Sequence, residues 1–266
     1  MPAFLRRIVL VLLLILGATA PAAAAPRTAE PPPPPPDRRR DTQPHWGGAA
    51  LARFATPVRY WCTSGFAVRT RDGKQGMVTA GHCFGQGVRV ASGRTPLGEP
   101  NDYGTVSERK NDTAHDMEVI TGVSAPQLYA PGIWVEPRLP RSIRVVGRAP
   151  AATGDKVCFS GMMSKEVCGF EVINLDRGTA CSDPEHPTDC TGGLAQAHHP
   201  DFAGSDGGDS GSPVYKRDAK GNATIVGMLI GGAPRDPTHP ALIVFHTVQQ
   251  LEASDGLGIT VLTQRP

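Results

Sequence analysis

The segment CTSGFAVRTRDGKQGMVTAGHC (residues 62–83) decides how this chain is read. Two short apolar runs, GFAVRT and GMVTAG, flank the polar, glycine-bearing RDGKQG. Runs of that length around such a turn read as a β-hairpin. The hairpin starts at Cys62 and ends at His82 and Cys83. A histidine at a strand end, tied down by a neighbouring cysteine, is held in place, as a general base must be. The plainer alternative is a structural histidine that bonds only locally.

The same texture continues on both sides. VRVAS, DMEVIT, IWVEP, IRVVG, KVCFSG, CGFEVINL, ATIVGMLIGG and ALIVFHTV are short runs separated by Gly, Pro, Asn and Asp. They predict a mainly β protein of sandwich or barrel type. Only VQQLEASDG, near the end, predicts a helix, stopped at Gly256. No internal repeat is visible. Two halves are expected, divided near residues 136–142, where Pro137 and Pro140 interrupt.

The N-terminus reads as a secretory signal over residues 1–25. Arg6 and Arg7 precede the apolar run Ile8–Leu16, and small residues fill Ala18–Ala25. The run is too short for an ordinary membrane span of about 20 residues. Residues 26–45 hold six consecutive prolines and form a spacer or short pro-segment. Within it, Arg38, Arg39 and Arg40 read as a solvated charge run in preference to a processing site. Residues 1–45 hold six of the 27 basic and three of the 25 acidic residues, so the remainder is one unit negative. That balance does not indicate nucleic acid or an anionic membrane as a partner. Export gives meaning to the six cysteines. They allow 15 pairings, of which the sequential one, Cys62–Cys83, Cys158–Cys168 and Cys181–Cys190, closes loops of modest size. Their spacings lack the paired C-x-x-C pattern of a zinc site.

A second stretch carries chemistry: GSDGGDSGSPVY, residues 204–215. Its glycines permit backbone geometry that other residues resist. A serine there can be exposed beside backbone amides aimed at one point, as a nucleophile and its oxyanion site need. Among the eight histidines, His45, His186, His198, His199 and His239 lie in loop-like, proline-rich surroundings. His198, His199 and Asp201 read as a polar rim loop in preference to a metal site.

Taken in order, VTAGHC (78–83) and GDSGSPV (208–214) resemble the chymotrypsin-like serine proteases. The likeness is to the secreted bacterial branch of streptogrisins and alpha-lytic protease, and runs from about Cys62 to the C-terminus. VCFSGMMSKEVCG resembles the second disulfide hairpin of that branch. GMLIGG and VFHTVQQL resemble its substrate-binding strand and closing segment. The resemblance implies two six-stranded antiparallel β-barrels, over residues 46–138 and 139–266, with the active site in the cleft between them and a short C-terminal helix. It implies Ser210 as nucleophile and His82 as general base, with the amides of Gly208 and Ser210 as oxyanion site.

For the orienting aspartate, Asp116 fits best, at the head of the apolar run DMEVIT. Asp102, in NDYG, and Asp112 are the alternatives, although Asp102 leaves little chain for a strand to run out and back after His82. The pocket residues implied are Gly204, Ser205, Asp206, Ile230, Gly231 and Gly232, with Ile243 narrowing the back wall. A glycine at the floor favours small or apolar substrate side chains, whereas Asp206 would attract basic ones. Asp206 stands where the branch often has a cysteine, which places Cys181–Cys190 as a local staple elsewhere. Asp209 lacks the arginine that the branch sets beside the hairpin cysteine; Lys156, Lys165, Arg177 or a processed N-terminus are its candidate partners.

The function expected is a secreted, monomeric serine endopeptidase acting on peptide or protein substrates, with no cofactor or metal and no stable membrane insertion. The alternatives are a non-catalytic binding protein on the same scaffold, an esterase, or a protease matched to one partner.

Overall fold

The computed structural model describes residues 38–264 apart from 56, 95–98, 123–128, 137–140, 182–189 and 203. The expected signal sequence and the proline run therefore lie outside the described residues, as do Pro137 and Pro140. The described chain is almost entirely β, with one short helix.

One sheet has eight strands, ordered β17(Thr260–Val261), β4(Ala67–Arg69), β5(Gln75–Thr79), β8(Asp116–Thr121), β7(Pro100–Asn111), β6(Arg89–Arg94), β2(Ala50–Arg53) and β3(Tyr60–Thr63). The hairpin read from RDGKQG is β4–β5, in antiparallel register with Ala67 opposite Met77. The Thr70 amide donates to Lys74 O across its turn. Leu51, Met77, Phe84, Val90, Tyr103 and Ile120 form the enclosed core.

The other sheet contains a closed ring. β11(Lys156–Gly161), β12(Lys165–Cys181), β13(Cys190–His199), β16(Ala241–Thr247), β15(Ala223–Ala233) and β14(Pro213–Arg217) pair in a circle, because β15 bonds to both β14 and β16. This is the expected six-stranded barrel. Closure leaves no free edges, and the interior fills with Phe159, Phe170, Val214, Leu229 and Phe245. Three further strands extend from β15: β10(Ser142–Arg148), β9(Tyr129–Trp134) and β1(His45–Gly47). Three strands thus lie across the expected halves: β1 and β9 join the second sheet and β17 the first.

The helix α1(Val248–Glu252) starts where the sequence implies. Thr247 caps it, accepting from the Gln250 amide while the Gln250 side chain accepts from the Thr247 amide, a reciprocal pair that satisfies orphan donors. Its Val248 and Leu251 are buried. All three disulfides take the sequential pairing.

Arg38 departs from the sequence reading. It is fully buried rather than solvated, because its guanidinium finds backbone carbonyls that no local pattern shows. It donates to Gly48 O at 3.0 Å and to Gly161 O at 2.8 Å.

Two constraints of the fold are directly testable. Gly211 has φ +89°, and a Cβ there would lie 2.2 Å from Thr79 Oγ1 and 2.3 Å from Thr63 O. Gly211→Ala combines a left-handed alanine with overpacking against β3 and β5, each costing about 1–3 kcal/mol. Chemical denaturation is expected to show a loss of about 3 kcal/mol. Glu118, on β8, is fully buried. Burial raises its pKa to about 8 from the usual 4.5, against the Gly85 amide and Arg109. The fold therefore keeps a proton that the unfolded chain releases above pH 4.5, and stability falls as pH rises from 4.5 to 8. Glu118→Gln removes that dependence. Its melting temperature should gain on the parent progressively between pH 5 and 8, by the equivalent of about 3 kcal/mol.

Candidate active site

Three elements converge on one cleft. His82 lies in the turn after β5, Asp116 opens β8, and Ser210 lies in the turn before β14. β5 and β8 are neighbours in register, with Thr79 opposite Glu118, so their ends bring His82 and Asp116 together. Asp116 Oδ2 lies 2.7 Å from His82 Nδ1, and Asp116 Oδ1 accepts from the His82 amide at 2.8 Å. Two contacts from one carboxylate fix both the ring and its backbone. That arrangement assigns the proton on Nδ1 and leaves Nε2 as the acceptor.

Of the three candidate aspartates, only Asp116 is beside His82. Asp102 lies on β7 and pairs with Arg89, 2.9 Å away. Asp112 accepts from the amides of Ala114 and His115 in its own turn. Asp116 is buried. Burial alone would raise its pKa, but the hydrogen bonds and charge of His82 outweigh it and hold the carboxyl below its ordinary value.

Beneath Asp116 lies His246, from β16, which the sequence reading did not single out. Its Nε2 accepts from the Asp116 amide at 3.0 Å. Burial pushes its pKa down to about 4, so it is neutral at ordinary pH and able to accept. Its place in an apolar run was the only signal available.

The Ser210 hydroxyl donates to Ile230 O at 3.1 Å and makes no hydrogen bond to His82. The Ser210 carbonyl accepts from the Thr63 amide, and the Gly208 carbonyl from Thr63 Oγ1 at 2.7 Å. The amides of Asp209, Gly211 and Ser212 all have backbone acceptors. Those of Gly208 and Ser210 have none among the described residues. Gly208 has φ +107°, a conformation that L side chains rarely adopt. Two free amides flanking Asp209, beside the half-buried Ser210 hydroxyl, are what an oxyanion site requires.

Asp209 is fully buried. Neither expected lysine reaches it: Lys156 pairs with Glu171, and Lys165 donates to Met162 O. Its carboxylate instead accepts from the amides of Met163, Ser164 and Asp206 and from the Ser164 hydroxyl. The two hairpin residues, Met163 and Ser164, could not be read as its partners, because the β11–β12 turn meets it only in space.

The cleft has a volume of about 480 Å³. It is lined by His82, Asp116 and Ser210, and by five of the six expected pocket residues: Ser205, Asp206, Ile230, Gly231 and Gly232. Gly204 is not among them. It packs against Pro234, where a Cβ would lie 2.7 Å from Pro234 Cα. Ile243 does not narrow the cleft either; it belongs to the barrel core. Its neighbours Leu242 and Val244 line the cleft, since alternate strand residues face opposite ways. Cys181 also lines it, with Thr179 and Ala180. The Cys181–Cys190 bridge therefore borders the cleft and is not remote from it. His199, considered for a metal, accepts from the amides of Asp201 and Phe202 through Nδ1 and stacks on Phe170.

No family model and no curated protein matches the chain. Solved structures do. Protease A of Thermobifida fusca is 25% identical, with a TM-score of 0.60 over 82% of this chain and 98% of that one. The Nocardiopsis protease is 20% identical, with a TM-score of 0.61 over the same shares. A glutamic acid-specific serine protease is also 20% identical, with a TM-score of 0.61 over 82% of this chain and 100% of that one. The chain has the fold of the bacterial chymotrypsin-like serine proteases.

Proposed function

We propose that the protein is a secreted serine endopeptidase that forms an acyl-enzyme on Ser210. The observation that carries this reading is the His82–Asp116 pair at 2.7 Å, set in the same cleft as Ser210 and its free amides. In the reaction, Ser210 Oγ attacks the scissile carbonyl carbon as its proton passes to His82 Nε2. The carbonyl oxygen takes the negative charge and faces the amides of Gly208 and Ser210. His82 then returns the proton to the departing amine, leaving an ester on Ser210. Water, deprotonated by His82, releases the acid. Asp116 stays ionised and stabilises the imidazolium, in keeping with its lowered pKa. Ser210 must first turn from Ile230 O towards His82, a bond that substrate commonly tightens in such sites.

Secretion agrees with the three disulfides, which persist in oxidising surroundings. No helix among the described residues is long and apolar enough to cross a membrane. For specificity, the side chains of Ala180, Ile230, Leu242 and Val244 face the cleft. Apolar walls favour small or apolar substrate residues over charged ones. Asp206, exposed at the cleft, is the feature that would favour a basic residue. The solved neighbours include both a chymotrypsin and a glutamic acid-specific enzyme, so the fold leaves the pocket preference to these side chains. The second reading, a binding protein on this scaffold, draws on the Ser210–Ile230 hydrogen bond, in which the hydroxyl is turned away from its base.

A fluorophosphonate probe is expected to label Ser210. Ser210→Ala and His82→Ala should each lower turnover by about 10⁶. Asp116→Asn should lower it by about 10⁴, while Asp102→Asn stays within about twofold. Labelling without turnover of any peptide or ester would favour the binding protein. Profiling against a peptide library should give cleavage after small or apolar residues; cleavage confined to Arg and Lys would transfer the specificity to Asp206.

A further inference from the structure

Arg38 and Asp209 are both fully buried, and both meet the same glycine, Gly161. The Arg38 guanidinium donates to Gly161 O at 2.8 Å and to Ser160 Oγ at 3.2 Å. Asp209 is so close that a Cβ on Gly161 would fall 2.1 Å from its Oδ1. Gly161 leads directly into Met162, Met163 and Ser164, the turn whose amides and hydroxyl hold the Asp209 carboxylate. Met162 also faces the oxyanion turn, since a Cβ on Gly208 would lie 2.3 Å from its Cε.

A buried carboxylate with hydrogen bonds but no counter-charge is costly, and so is a buried guanidinium. Each needs the other's charge nearby. Arg38 has one weak ion pair, Glu136 Oε2 at 3.9 Å, and otherwise reaches only neutral acceptors. Burial brings the Arg38 pKa down to about 10, and the charge of Glu136, followed by Tyr215, Asp209 and Glu166, opposes it. Arg38 therefore carries its charge at neutral pH.

The segment that bears Arg38 is fastened along its length. Arg38 O accepts from the Ala50 amide, and Arg39 O from the Tyr60 hydroxyl. Asp41 accepts from Trp134 Nε1 at 3.2 Å and lies 2.9 Å from His45 Nδ1, both partners buried. The guanidinium is thus presented by an ordered strap and not by a loose tail.

We propose that Arg38 is a positioning residue for the serine turn: its charge balances Asp209 beside Gly161 and fixes the Asp209–Ser210 backbone, so that the working form of the chain retains Arg38. This rests on the protease reading for its catalytic consequence but not for its structural one. The test uses the full chain with Arg38→Lys, Arg38→Met, Asp209→Asn and the Arg38→Met/Asp209→Asn double variant. Two readouts are taken: the rate of fluorophosphonate labelling of Ser210, and hydrogen exchange of the peptide spanning residues 204–212.

Arg38→Met should label at least tenfold more slowly, with faster exchange over 204–212. Arg38→Lys, which keeps the charge but not the fork of donors, should fall between it and the parent. The double variant should lose less than the product of the two single losses, as expected for partners in one interaction. Exchange needs no turnover, so it stands even if the parent fails to label, an outcome that would sink the protease reading alone. If Arg38→Met melts too low for kinetics, the Lys variant and the exchange of Asp209→Asn carry the comparison. Equal rates for Arg38→Lys and Arg38→Met, multiplying losses, or unchanged exchange over 204–212 would each overturn the proposal.

Discussion

The site depends on Thr63, a buried residue at the end of β3 whose polar groups all reach across to other elements. Its amide donates to Ser210 O, and its hydroxyl donates to Gly208 O while accepting from the Met162 amide. Its carbonyl accepts from Thr79 Oγ1, at the end of the strand that delivers His82. One residue earlier, Cys62 is bonded to Cys83, the neighbour of His82. A single dipeptide thus ties the histidine by a covalent bond and the serine by hydrogen bonds. Catalytic geometry tolerates errors of about 0.5 Å, and two long loops could not hold it without such a shared anchor.

The charges around this anchor are sorted by the partners each one meets. Asp116 and Glu118 are two apart on β8, in register with the end of β5. Asp116 has His82 on its carboxylate and stays ionised. Glu118 meets the Gly85 amide at 3.2 Å and Arg109 only at 3.9 Å, and burial keeps it protonated. The difference between two acids on one strand comes from their partners, not from their depth. A third buried group, His246, stays neutral and accepts from the Asp116 amide, which pins the start of β8 from below.

Much of this was legible in the sequence, where the signal was local. The 62–83 hairpin, the helix begun in VQQLE and the glycine-rich turn around Ser210 each follow from residues close together in the chain. The choice of Asp116 followed from the length of chain a strand needs before returning. What escaped was set by register or by distance. Ile243, placed at the cleft by the resemblance, faces the barrel core, and its strand neighbours Leu242 and Val244 line the cleft instead. A shift of one residue exchanges the faces of a strand. Arg38 looked like a member of a solvated basic run, since its acceptors at Gly161 and Ser160 lie more than a hundred residues away. Asp209 seemed to lack a partner because its donors are backbone amides, which leave no mark in residue type.

The exchange of strands between the two sheets bears on how the molecule is made. β1, the first described strand, pairs with β9 in the sheet of the second barrel, and β17, the last, pairs with β4 in the first. Each end of the chain is thus fastened to the sheet that the other half mainly builds. A growing chain can assemble the β4–β5 hairpin early, yet β17 can join that sheet only once residue 261 has been made. The slowest contacts are those of greatest sequence separation, whose loop entropy must be met before they stabilise anything. Both terminal pairings are consequently late contacts, and the two sheets are laced to opposite ends of one chain.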